Sequence, residues 1–159
     1  MTMQGTIPAS GPDPIRLFIS HVWHEDHAYL QVLELLAEAR NLRFENLSKP
    51  QRESRAAMLD GGREELLDQV RPAELVIVLA AQYTEDPVMV LDIVEHARVR
   101  RIPVLLLPAQ GQAGRLPQAL ARLATQVGSW SSRELADSIR RLARGENPSQ
   151  YDVIEFTLD

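Results

Sequence analysis

Two kinds of apolar spacing alternate along this chain, and their order predicts its architecture. Residues 15–20 (IRLFIS) form a short apolar run of β-favouring residues and predict a first strand. From Ala28 the apolar positions fall at helical spacing, at Tyr29, Val32, Leu33, Leu36 and Ala39. Glu25 and Asp26 stand just before them, where carboxylates favour a helix N-terminus. Residues 42–46 (LRFEN) alternate and predict a second strand, and residues 47–59 read as a polar connector carrying Lys49-Pro50. A helix is predicted over residues 60–70, with Leu66, Leu67 and Val70 on one face and Pro72 ending it.

Residues 75–81 (LVIVLAA) are continuously apolar, as strands buried on both faces of a parallel sheet are. Asp86-Pro87 marks a helix start, aspartate as cap and proline in the first turn, and the helix runs to about Arg100. Residues 103–107 (PVLLL) predict the next buried strand, residues 116–123 a short helix and residues 126–130 a brief strand. Ser131 with Glu134 fits a capping box, Leu135, Ile139 and Leu142 give the last helix a core face, and Gly145 stops it. Five alternations of strand and helix predict an α/β, flavodoxin-like, doubly wound parallel sheet with helices on both faces. The first and third strands, the most continuously apolar, are expected side by side near its centre.

The predicted domain spans residues 15–145. Residues 1–14 are rich in Pro, Gly, Ser and Thr and read as a flexible leader. Residues 146–159 form a C-terminal tail that Pro148 breaks, in which residues 151–158 alternate weakly. A chain of 159 residues with 45% hydrophobic and 25% charged residues can bury a core without staples. It has no cysteine, which excludes disulfides, thiolate metal sites and cysteine nucleophiles. A net charge of −5 gives no support to a nucleic-acid role. No apolar run is long enough to span a bilayer and the leader has no signal-peptide pattern, so the expected location is cytoplasmic, with no membrane partner.

In an open parallel sheet, ligands bind beyond the carboxyl ends of the strands. Those ends supply Ser20-His21-Val22-Trp23, Asn46-Leu47-Ser48-Lys49, Gln82-Tyr83 and Pro108-Ala109-Gln110. Rings, amides, hydroxyls and one ammonium suit a base-and-ribose ligand. The usual dinucleotide glycine fingerprint, the phosphate loop and the serine-hydrolase elbow are all missing. A response-regulator receiver needs an aspartate ending the third strand and a lysine ending the fifth; the third ends in Ala80-Ala81-Gln82 and the late strand has no lysine. His21, His24 and His27 recur every third residue, but a solvated helix start accounts for His24 and His27, and no metal site is expected. His96 falls inside a predicted helix, as a surface or packing residue.

The run FISHVWHEDHAY, from Phe18 to Tyr29, resembles the first strand and loop of TIR-like domains. It is closest to the bacterial group that serves as sensors (ThsB-type) in Thoeris anti-phage systems. Phe44-Glu45-Asn46-Leu47-Ser48-Lys49-Pro50 is similar to that group's second strand and turn, and residues 76–83 (VIVLAAQY) to its third strand. Residues 97–104 (ARVRRIPV) are similar to its helix-to-strand step, and Val127-Gly128-Ser129-Trp130 to its late segment.

The resemblance implies immune nucleotide signalling, in which NAD is bound, or cleaved to a hydrolysed or cyclic ADP-ribose product. NAD would then be a substrate, not a cofactor. Trp23 and Tyr83 would flank the base or nicotinamide; Ser20, His21, Asn46, Ser48 and Lys49 would complete the binding set. The family glutamate, which meets the charge developing on the ribose, falls by registration on Ile93, and the family tryptophan on Met89. Asp92 and Glu95 flank the gap and are the candidate catalytic carboxylates, so activity as an NAD glycohydrolase or ADP-ribose cyclase stays open. The alternative is a catalytically silent interaction module, self-associating through the 47–59 loop. A generic flavodoxin-like domain without an immune role also fits the residues. If residues 1–12 are a passive leader, deleting them leaves the thermal midpoint unchanged; a marked drop in a melting curve would show that they pack on the core.

Overall fold

A computed structural model describes residues 13–21, 26–49, 63–111 and 115–146. The expectations for the leader, the C-terminal tail, Trp23, His24 and most of the 47–59 loop lie outside the described residues.

Strands β1 (Ile15–Ile19), β2 (Phe44–Asn46), β3 (Leu75–Leu79), β4 (Val104–Leu107) and β5 (Gln126–Val127) form one sheet in the order β2-β1-β3-β4-β5. All four pairings are parallel. β1 pairs with β3 through Leu17–Leu75, Phe18–Val76 and Ile19–Ile77, as the apolar runs predict. Among the described residues the helices are α1 (His27–Glu38), α2 (Arg63–Val70), α3 (Ala81–Glu85), α4 (Pro87–Val99), α5 (Gln118–Leu123) and α6 (Ser132–Arg144). The chain has the α/β, flavodoxin-like fold.

Side-chain alternation divides the core in two. Leu75, Ile77, Leu79, Leu105 and Leu107 face α1 and α6, meeting Val32, Leu36, Leu135 and Ile139. Val76, Val78, Val104 and Leu106 face α2, α4 and α5, meeting Val70, Ile93, Val94 and Leu120. Every residue of β3 and β4 is buried, the condition of a strand covered on both sides.

The helix ends follow local chemistry. Asp26 caps α1, accepting from the Tyr29 N–H, and Asp86 caps α4, accepting from the Met89 N–H with Pro87 in the first turn. Ser131 Oγ accepts from the Glu134 N–H, and Gly145 closes α6 at φ 72°, in the left-handed region where a glycine carries no Cβ penalty. β3 is shorter than its apolar run suggests. It stops at Leu79, and Ala81–Glu85 winds into α3, because Gln82 turns inward to join a buried hydrogen-bond network.

Helix α4 settles the orientation of the proposed catalytic region. Met89, Val90, Ile93, Val94 and Ala97 form its buried face. Ile93 is 0% exposed within the α2–α4–α5 core, and Met89 is 2% exposed in the same cluster. The 100° rotation per residue turns Asp92 to a half-buried position and leaves Glu95 exposed. Restoring a glutamate at position 93 would therefore place a carboxylate in apolar packing rather than in a ligand site. Ile93→Glu is expected to destabilise the protein by several kcal/mol, since a buried charge without a partner is strongly disfavoured. Urea unfolding checks this; a variant that keeps wild-type stability and gains NAD turnover would show that position 93 faces a site.

Candidate functional site at the carboxyl edge of the sheet

The strand order places the topological switch between β1 and β3, and the polar residues beyond these strands assemble there. Ser20 continues β1, its N–H donating to Ile77 O (2.9 Å). Its Oγ donates to Gln82 Oε1 (2.5 Å) and accepts from the Leu79 N–H (3.0 Å). Gln82 Nε2 donates to Ser20 O (2.9 Å) and to Asp26 Oδ2. Asp26 thus caps α1 with one oxygen and anchors Gln82 with the other. Ser20 and Gln82 are 0% and 2% exposed, so their polar atoms are committed to joining β1, β3, α1 and α3.

A second cluster lies at the end of β2. Tyr29, on the first turn of α1, shares a 2.8 Å hydrogen bond with Ser48 Oγ, and Asn46 Nδ2 donates to the Tyr29 hydroxyl (3.0 Å). The Ser48 N–H donates to Asn46 Oδ1 (3.0 Å), and Ser48 Oγ bonds the same oxygen. Lys49 is exposed, and its backbone N–H donates to Gln69 Oε1 (2.9 Å) of α2.

His21 lies between these clusters, 1% exposed, with Phe18 at 5.8 Å and Tyr29 edge-on at 6.1 Å between ring centroids. Gln69 and Asp26 lie near enough to favour its charged form, yet neither ring nitrogen makes a hydrogen bond of normal geometry. Burial dominates and pushes its pKa down to about 4, so the imidazole is neutral at pH 7.

The open part of this edge is a cleft of about 510 Å³ on the α1–α6 side. Asp26, His27 and Gln31 line it from α1 and its cap, Glu85 from α3, Gln110 from the turn after β4, and Trp130 from the segment after β5. Trp130 is half-buried against the α1–α6 core, and its Nε1 donates to Pro108 O (2.6 Å), which fixes the indole at the cleft wall. Gly128 permits this approach. A Cβ there would lie 3.0 Å from side-chain carbons of both Leu105 and Leu107.

The structure brings Ser20, His21, Asn46 and Ser48 to one edge, but Ser20, Asn46 and Ser48 are engaged in structural hydrogen bonds, His21 is buried between them, and none of the four lines the open cleft. Tyr83 is half-buried against the opposite core cluster and is not among the residues lining the cleft. Neither Asp92 nor Glu95 lines it. The carboxylates that do are Asp26, which the sequence offered only as a helix-terminal residue, and Glu85, which the sequence did not single out. Trp130 was legible as part of a late motif, but not as a cleft wall.

No protein-family model matches the chain, and no curated protein matches it. Solved structures similar to it include a Legionella pneumophila response regulator, LqsR, at 17% identity and a TM-score of 0.45, over 94% of this chain and 51% of that one. This chain thus spans about half the length of that protein. β3 leads into Ala80-Ala81 and β5 into Gly128, so these strand ends hold neither the aspartate nor the lysine of a phosphoacceptor site. Among the described residues no group of His, Asp and Glu side chains is arranged to hold a metal ion, and no helix is long and apolar enough to cross a membrane.

The depressed His21 pKa makes stability pH-dependent. A histidine kept neutral by folding contributes its full stability above its ordinary value of 6.5, and that contribution falls as pH drops from 6.5 towards 4. The loss from this group is expected to reach about 2–3 kcal/mol near pH 4.5. In urea unfolding at several pH values, His21→Phe should remove that part of the slope while carboxylate contributions remain. Identical pH profiles for wild type and variant would mean the imidazole is not held neutral.

Proposed function

We propose that this chain is a TIR-like domain of bacterial anti-phage signalling that binds NAD or a related nucleotide in the carboxyl-edge cleft. The observation that carries the binding part is the juxtaposition of Trp130, Asp26, Glu85, Gln31 and Gln110 beside the β1–β3 switch. The immune role rests on the resemblance carried by the segments around Phe18, Asn46 and Gly128.

The chemistry of the cleft favours one end of the dinucleotide. A cationic nicotinamide ring can stack on the Trp130 indole, where the ring quadrupole attracts positive charge. Asp26 and Glu85 can accept hydrogen bonds from ribose hydroxyls, while Gln31 and Gln110 can orient a carboxamide or sugar. Two carboxylates would repel the diphosphate, which therefore points outward from the cleft. If the nicotinamide–ribose bond breaks here, Glu85 is placed to meet the positive charge that develops on the ribose. Asp26 already serves as helix cap and Gln82 anchor, so its role is positional.

The second reading, a catalytically silent interaction module, is favoured by a specific observation: Ile93 and Met89, which stand at the family's glutamate and tryptophan positions, are buried in the core. Neither Asp92 nor Glu95 lines the cleft, which supports the same reading. We therefore expect binding with slow turnover.

Titration with NAD and ADP-ribose, followed by tryptophan fluorescence, is expected to give a saturable change that Trp130→Phe removes. Chromatography of NAD incubated with the protein is expected to show slow loss or none. Any turnover present should fall about 10²–10³-fold in Glu85→Gln, the usual scale for removing a preorganised group that meets developing charge, and should be unaffected in Glu95→Gln. Absence of binding to either nucleotide would leave the silent module.

A further inference from the structure

The opposite edge of the sheet carries a feature that the carboxyl-edge reading does not use. At the amino ends of the strands, a groove of about 590 Å³ runs between the α2–β3 turn, the α4–β4 turn and the C-terminal half of α6. Four guanidinium side chains line it: Arg16 from β1, Arg71 after α2, and Arg100 and Arg101 after α4. In a chain of net charge −5 this is a marked segregation of positive charge.

Two of the four have carboxylate partners, Arg16 with Glu74 and Arg71 with Asp68. Glu74 is the carboxylate in its lining, and it is held by Arg144 from α6, whose Nε and Nη2 both donate to it. That pairing holds the Glu74 carboxyl below its ordinary range. Glu74 also accepts from the Arg16 N–H (3.1 Å) and pairs with the Arg16 guanidinium at 3.4 Å, while Arg16 Nε donates to Pro72 O (2.8 Å), so Glu74 is fully occupied and Arg16 is partly engaged. Arg71 pairs with Asp68 at 3.0 Å, but both side chains are more than half exposed, and such pairs break at little cost. Arg100 donates from Nε towards His96 (3.2 Å), which leaves its terminal nitrogens outside that bond. Among the described residues no carboxylate pairs with Arg101.

Arg101 has a second peculiarity. It adopts φ 60°, in the left-handed region, as the residue following the cap of α4. The Arg101 N–H donates to Arg98 O (2.9 Å) and the Ile102 N–H to Ala97 O (2.8 Å), a Schellman motif. Glycine usually holds that position because a Cβ is disfavoured there. Here the motif instead directs a long cationic side chain from the turn that borders the groove.

We propose that the amino-edge groove binds a small ligand carrying two or more linked phosphate groups, through Arg16, Arg71, Arg100 and Arg101. The guanidinium forks of Arg71, Arg100 and Arg101, from two separate turns, can each take two oxygens of such a ligand, and Arg16, bonded to Pro72 O and paired with Glu74, adds positive charge beside them. The groove has no aromatic side chain in its lining, and its Ala73, Ile102 and Pro103 are small or largely buried. It therefore lacks the apolar anchors that a protein segment would need for tight docking. This site is independent of the cleft at the other edge.

Inorganic tripolyphosphate is the probe, titrated calorimetrically into the full chain at low ionic strength. Saturable binding to one site is expected, weaker as salt rises and well above that of sulfate at matched ionic strength. Arg71→Gln and Arg101→Gly should each weaken it about tenfold, the scale of one charge-assisted hydrogen-bonding group. Arg101→Gly is expected to raise the unliganded thermal midpoint by about 2–4 °C, because it relieves the left-handed backbone. Lost binding in that variant therefore cannot be ascribed to unfolding. Non-saturating uptake, or affinity unchanged in both variants, would overturn the proposal. So would an oligo-aspartate peptide that binds more tightly than tripolyphosphate with the same arginine dependence, since the groove would then serve an acidic protein segment.

Discussion

The two-sided burial of β3 and β4 is the constraint on which the rest of the structure depends. Leu75–Leu79 and Val104–Leu107 have no polar face to offer water, so the chain must cover both sides of its sheet. Helices α1 and α6 answer on one side and α2, α4 and α5 on the other. Short crossovers between parallel strands then allow few arrangements. The order β2-β1-β3-β4-β5 puts the reversal of winding between β1 and β3. Helices α1 and α4, which follow these two strands, cover opposite faces, and the cleft lies beside that switch.

A buried polar network stabilises that divergence. Ser20, Gln82 and Asp26 tie the last residue of the β1 run, the short helix after β3 and the start of α1 into one unit. Buried polar groups of this kind are tolerated only when satisfied, and here the partners come from four elements. His21 is the exception: its ring nitrogens have no hydrogen bond although the side chain is buried. The carboxyl edge therefore holds a rigid base of satisfied hydrogen bonds, one imidazole held neutral by burial, and beside them an open cleft walled by Trp130.

Charge is distributed by pole. The carboxyl-edge cleft contains Asp26 and Glu85, and the amino-edge groove contains four arginines around a Glu74 already engaged by Arg144. Net charge alone describes neither pole. The excess of acidic residues argues against a broad polyanion-binding surface, yet it is compatible with a local basic groove, because the fold separates residues that are interleaved in sequence.

Much of the fold was determined by the sequence itself. The continuous runs at 75–81 and 103–107, the helical spacing after Ala28, the Asp86-Pro87 start and the Ser131–Gly145 bounds each reflect chemistry acting within a few residues, and each reappears in the structure, the two strands trimmed to Leu75–Leu79 and Val104–Leu107. The central pairing of β1 with β3 was legible for a related reason, since the most apolar strands belong where burial is greatest. Side-chain direction at the candidate sites was decided only by tertiary structure. Ser20 and Asn46 stand at strand ends as read, but which polar atoms turn inward depends on partners 17 to 62 residues away, such as Tyr29 and Gln82. Ile93 could be aligned with a family position, but only the packing of α4 shows that this position faces the core. Likewise Asp26, Glu85 and Trp130 line one cleft, and Arg71 and Arg101 one groove, through crossovers that bring distant strand ends together. Local patterns specify elements because their causes are local; a site made of contacts between elements exists only once those elements have packed.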